Sequence, residues 1–140
     1  MPEVTVEVTQ LEGSTGSQGD VRGHRVVVDR PAEKGGEDRG PMGGEMLLLG
    51  LGGCFMSNLI AAVNARNLHV KGLKAVVSGT LEGNPARFTG ATLAVHGSGV
   101  PDDEFDKLIA VAERGCIVAN TLNRALTLRV KRAAPRTAVA

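Results

Sequence analysis

Apolar and polar positions alternate cleanly at the start of the chain. In Glu3 to Leu11 (EVTVEVTQL), Val4, Val6 and Val8 fall on one side and Glu3, Thr5, Glu7 and Thr9 on the other. That period of two predicts a half-buried β-strand. Gly13 to Gly19 is rich in Gly and Ser and reads as a turn region. Val21 to Asp29 (VRGHRVVVD) predicts one strand or two short ones. Residues 31 to 44 (PAEKGGEDRGPMGG) predict a long loop, and loops of that length in compact domains are often functional.

The pattern then changes. Met46 to Val63 spans 18 residues, of which 13 are apolar, three are Gly, one is Ser and one is Asn. By length this run could cross a membrane. Segments that need a soluble core lie on both sides, so it is read as a buried helix, apolar all round. Glu45 at its start and Arg66 at its end suit the helix dipole. Leu73 to Glu82 predicts a strand with Leu73, Ala75, Val77 and Leu81 on one face. Gly83-Asn84-Pro85 is the turn, and Phe88 to Gly97 the returning strand. Pro101-Asp102-Asp103-Glu104 opens a helix whose apolar positions are Phe105, Leu108, Ile109 and Ala112. Gly115 breaks it, Cys116 follows, and Ile117 to Asn123 predicts a second short helix. Arg124 to Val130 (RALTLRV) is expected to close the domain as a strand.

This order predicts a single α+β domain over residues 1–130, with 131–140 as a short flexible tail. A helix apolar on every side needs cover on every side, and one chain of 140 residues can cover about half of it. A second copy is the simplest cover, so an obligate homodimer is expected.

Composition narrows the function. Lys plus Arg total 16 against 15 acids, a net charge of +1, and the only aromatics are Phe55, Phe88 and Phe105. There is no electrostatic footprint for nucleic acid or acidic membrane and no set of rings for stacking on bases. The basic run after Val130 (KRAAPR) reads as a solvated end. Met1 to Asp20 is polar where a secretion signal would be apolar, so a cytoplasmic protein is expected. In that reducing compartment Cys54 and Cys116 are expected to be free, catalytic or redox-active rather than a permanent staple. The bland reading makes each a small core hydrophobe. Gly50, Gly52, Gly53 and Ser57 surround Cys54 with small residues that let another backbone approach. Two Cys with His24, His69 and His96 offer no close ligand pair, so no metal site is expected. The G-x-S-x-G and GK[ST] patterns are absent.

The stretch GGEDRGPMGGEMLLLGLGGCF, residues 35 to 55, resembles the OsmC/Ohr family of thiol peroxidases, most closely its OsmC-like branch. CIVANTL, Cys116 to Leu122, resembles the family's second-cysteine motif, and the 62-residue separation of the cysteines also fits. The resemblance implies an OsmC-like fold, an intertwined homodimer with antiparallel sheets wrapped around two buried central helices. It implies reduction of organic hydroperoxides to alcohols, as protection against oxidative stress. Cys54 would be the peroxidatic cysteine and Cys116 the resolving one. An Arg and a Glu would complete the site. No bound cofactor is implied; an external dithiol, such as a lipoyl-type carrier, would supply the electrons. The Glu is taken as Glu45, although the family's acid falls one position earlier, at Gly44; Ile117 stands where a Pro is common. The Arg is taken as Arg30, with Arg22 and Arg39 as alternatives. Chemistry adds one requirement. An apolar site raises a thiol's pKa, so a cation is expected beside Cys54. Two other readings keep the fold without the activity: a small-molecule-binding dimer, and a thiol–disulfide exchange protein.

Overall fold

The computed structural model describes residues 1–124. The N-terminal sheet has three antiparallel strands, β1 (Glu7–Gln10), β2 (Ser17–Val21) and β3 (His24–Val28), in that order. After the loop comes α1 (Gly43–Ala65), then the hairpin β4 (Lys71–Glu82) and β5 (Arg87–Ser98), then α2 (Asp102–Gly115) and α3 (Ile117–Arg124). This is an α+β fold with antiparallel sheets. The strand expected over 124–130 lies outside the described residues except Arg124, which ends α3. The tail also lies outside them.

Helix α1 begins at Gly43, two residues ahead of the expected start at Glu45, so Gly43 and Gly44 leave the expected loop and join it. The Met42 N–H donates to Glu45 Oε1 at 2.8 Å, so the acid three residues into the helix closes its first turn. At the far end Arg66 Nη1 donates to the Ala62 carbonyl at 3.1 Å, and Asn67 takes a positive φ of 52° to leave the helix. One face carries Leu51, Phe55, Leu59, Ala62 and Val63, all buried. They pack against Leu108 and Ala112 of α2, against Cys116, and against the inward side of β4 and β5 through Val77 and Leu93. Leu59, with no exposed surface, is worth about 1.5–3 kcal/mol by burial alone.

The other face of α1 stays open. Leu49 is 60% exposed and Ile60 44% exposed, and Gly50, Gly53 and Ser57 lie between them on the surface. The glycines divide accordingly. A Cβ on Gly52 would come within 2.9 Å of Val77 Cγ2, so Gly52 permits close packing of α1 on β4. A Cβ on Gly50 or Gly53 would meet nothing. By length and composition α1 could also cross a membrane; its buried row instead forms the core of the domain.

The N-terminal sheet corrects the expected half-buried strand. Val8 pairs with Gly19, and Gly19 with Val26, so these residues form one row across the sheet. Val6 and Val8 are 57% and 66% exposed, because the sheet packs within itself and not on the helices of its own chain. A second difference concerns β2, Ser17–Val21, whose first three residues fall in the expected turn region. It lacks alternation, yet becomes a strand because β1 and β3 satisfy its backbone on both sides. A third concerns Leu81. Leu73, Ala75 and Val77 point inward as expected, but a register shift between Thr80 and Leu81 turns Leu81 outward.

Candidate functional site

Cys54 and Cys116 are brought together by the packing of α1 on the α2–α3 junction. Cys54 sits half-buried in α1, one turn beyond the buried Leu51. Helix α2 ends at Gly115, and Cys116 takes an extended conformation (φ −79°, ψ 111°) before α3 begins at Ile117. Cys116 therefore does not extend the apolar face of α2. It is fully buried, and its Sγ accepts the Ala119 N–H at 3.4 Å, occupying the position of a side-chain cap on α3. Asn58, one turn after Cys54, donates from Nδ2 to the Cys54 carbonyl at 3.1 Å. A Cβ on Gly115 would sit in ordinary contact with the Asn58 amide, which places Asn58 beside the junction.

Both cysteines are free thiols, and their environments differ in sign. The Val118 N–H is the largest influence on Cys54. Together with the Cys116 thiol and the Ile117 N–H it outweighs the effect of burial and holds the Cys54 pKa below the ordinary 9.0. Burial dominates at Cys116 and pushes its pKa up; the hydrogen bond and charge of Cys54 push the same way. The arrangement favours one thiolate, on Cys54, with Cys116 kept as a proton-bearing thiol beside it. Backbone N–H groups at the start of α3 do what the sequence reading expected of a cation.

None of the other expected residues is among the groups that act on the two thiols within one chain. Arg30 is exposed and makes no ion pair among the described residues. Arg22 occupies the β2–β3 turn with a positive φ of 50°, and Arg39 pairs with Glu37 at 3.6 Å. Glu45 shares α1 with Cys54. Nine residues of regular helix separate them by about 13.5 Å and half a turn. Its carboxylate is engaged at Met42. Among the described residues no His, Cys, Asp and Glu cluster could hold a metal.

Two cavities flank α1, one of mixed lining and one mainly apolar. The mixed one, of about 670 Å³, lies between α1, β5 and α3, with Leu47, Leu51, Phe88 and Leu93 in its wall beside Thr92, Glu113 and Asn123, and Leu51 in that wall is one helical turn before Cys54. The other, about 570 Å³, runs along the open side of α1 past Pro41, Glu45, Leu49, Gly53 and Met56.

The sequence of residues 35–131 matches the family described as OsmC-like protein, and the chain belongs to that family. Solved structures share the fold. A protein from Psychrobacter arcticus described as osmotic stress induced and as a detoxification response protein superposes with a TM-score of 0.73 at 18% identity, over 86% of this chain and 89% of that one. An organic hydroperoxide resistance protein from Legionella pneumophila gives 0.65 at 19% identity, over 87% and 90%. One of the same description from Elizabethkingia anophelis, crystallised with thiocyanate, gives 0.60 at 22% identity, over 86% and 88%. No curated sequence matches the chain.

Proposed function

We propose that this protein is a thiol peroxidase that reduces organic hydroperoxides to alcohols. The observation that carries the reading is the paired cysteines of opposite character: Cys54 made acidic by the Val118 N–H, and Cys116 held as a thiol by burial. The names of structural relatives from Legionella pneumophila and Elizabethkingia anophelis support the substrate class.

The steps follow from these groups. The Cys54 thiolate attacks the outer oxygen of ROOH; the O–O bond breaks, an S–O bond forms, and alkoxide leaves and takes a proton to become ROH. Cys54 is now a sulfenic acid. The Cys116 sulfur displaces its hydroxyl, giving a Cys54–Cys116 disulfide and one water. An external dithiol then reduces the disulfide to two thiols and is itself oxidised, so no bound cofactor is needed. The mainly apolar cavity, whose wall includes Leu48, Leu49, Met56 and Gly53 next to Cys54, favours a hydrophobic peroxide over hydrogen peroxide.

The working unit in this reading is a homodimer. The open face of α1 and the valine row of the N-terminal sheet are both apolar, and a second copy covers both. Arg30 adds a cation to the backbone donors at the thiol of the assembled dimer. Glu45 of one protomer, which cannot touch its own Cys54, acts by holding an arginine at the thiol of its partner. The protein works in the cytoplasm, without nucleic acid or membrane. The test is consumption of cumene hydroperoxide with dihydrolipoamide. Wild type should turn over and Cys54→Ser should not; equal rates would end the reading.

A further inference from the structure

Asp29 is the one charged side chain buried among the described residues, at 4% exposure. Its carboxylate gathers four donors. Oδ1 accepts from Thr15 Oγ1 at 2.8 Å and from the Arg30 N–H at 2.7 Å. Oδ2 accepts from the N–H groups of Glu37 and Arg39, each at 3.2 Å. The Asp29 N–H donates to the Pro41 carbonyl at 3.0 Å, and the Asp38 N–H to the Arg30 carbonyl at the same distance. The loop from Arg30 to Pro41 thus closes around one carboxylate.

Burial alone would raise the pKa of that carboxyl. The Thr15 hydroxyl and the N–H groups of Arg39, Arg30 and Glu37 outweigh it and hold the pKa below the ordinary 3.8, so Asp29 is ionised throughout the neutral range. The loop has no slack. A Cβ on Gly36 would collide with the Arg30 carbonyl, and one on Gly40 with the Val27 carbonyl. A second, exposed clasp joins Thr15 and Glu37: the Thr15 N–H donates to Glu37 Oε1 at 2.7 Å, and the Glu37 N–H to Thr15 Oγ1 at 3.0 Å. Arg30 is therefore fixed at both its N–H and its carbonyl, while its side chain is uncommitted among the described residues.

We propose that Asp29 is a positioning residue: its buried carboxylate sets the base from which Arg30 serves the thiol site and the place of Pro41 in the cavity wall. The arginine's part rests on the peroxidase reading above. Asp29 touches neither thiol nor substrate, so its effect must pass through Arg30 and the loop.

The test compares Asp29→Asn, Arg30→Ala and the double variant. In a single-turnover reaction with cumene hydroperoxide, Asp29→Asn should slow oxidation of Cys54 at least about tenfold, as displacement of a positioning group does. Added to Arg30→Ala it should cost nothing further, because both changes remove one function. A purely structural role would instead multiply the losses in the double variant, and that result overturns the proposal. So does an Asp29→Asn protein as fast as wild type. If Asp29→Asn does not fold, Thr15→Val, which removes one of the four donors, should show the same non-additive loss at smaller size. A second arm needs no peroxide. Trypsin cleavage after Lys34 and Arg39 should accelerate about tenfold or more in Asp29→Asn; unchanged cleavage overturns the proposal. A wild-type protein that consumes no peroxide defeats the peroxidase reading, and the trypsin arm still decides whether Asp29 holds the loop.

Discussion

The backbone N–H of Val118 faces the Cys54 sulfur, so the thiol of one helix is made acidic by the first turn of another. The relationship depends on the extended residue Cys116, which interrupts the helix between α2 and α3 and leaves the first N–H groups of α3 without helical partners. Two sulfurs take up that demand: Cys116 receives Ala119, and Cys54 faces Val118 and Ile117.

Cys54→Ser should abolish peroxide turnover, a loss of at least about a thousandfold, as when a nucleophile is removed. Cys116→Ser should complete one round and stop at the sulfenic acid. Dimedone labelling of Cys54 after one equivalent of peroxide, seen in Cys116→Ser and weak in wild type, checks the division of roles.

The two thiols should titrate on opposite sides of 9.0. Thiolate absorbance of Cys116→Ser reports Cys54 and should rise below that value; that of Cys54→Ser reports Cys116 and should rise above it. The sign carries to stability. Cys54, with its pKa lowered, contributes stability that is present above 9.0 and lost as pH falls through its folded value. Cys116, with its pKa raised, contributes stability that is present below 9.0 and lost as pH rises through its folded value. Denaturant titrations of the two single variants between pH 6 and about 10 should slope in opposite directions.

Leu59→Ala should destabilise the fold by about 2–5 kcal/mol, because Leu59 is wholly buried between α1 and α2. Urea denaturation followed by circular dichroism measures it. A change under about 1 kcal/mol would mean that the helices do not pack as described.

Gly52 and Gly53 should answer differently to enlargement. Gly52→Ala forces a methyl against Val77 and should lower the melting temperature. A Cβ at Gly53 meets nothing within the chain, so Gly53→Leu should leave the single domain folded and, if the proposed homodimer closes over this face, shift light scattering from dimer to monomer. A Gly53→Leu protein that scatters as wild type does would remove this face from the proposed dimer interface.

Much of this was legible in the residues. The apolar run starting at Met46 lies wholly within α1, the acids after Pro101 open α2, and the Gly83-Asn84-Pro85 turn joins β4 to β5. What the sequence hides are features that one strand or helix does not own. Ser17–Val21 has no strand pattern of its own and is extended because two neighbours pair with it. Leu81 obeys the strand period and still points outward, since a bulge depends on the partner strand. The thiol's stabiliser was expected to be a side chain. Backbone donors leave no letter in a sequence, although a helix starting directly after Cys116 was a usable sign. Asp29 was read only as the end of a strand; an Asp ahead of a Pro- and Gly-rich loop is the signal that could have exposed it.

Cys54 owes its acidity in this chain to the Val118 and Ile117 peptide dipoles and to the Cys116 thiol, and none of these carries a mobile partner ion. Dissolved salt weakens attraction between exposed charges over roughly 8–10 Å, but it hardly reaches an N–H in contact with a half-buried sulfur. The reactivity that Val118 and Ile117 confer on Cys54 should therefore be nearly the same in dilute buffer and in concentrated brine. Any part supplied by Arg30 should fade with ionic strength, so a salt series of alkylation rates separates the two sources within one protein.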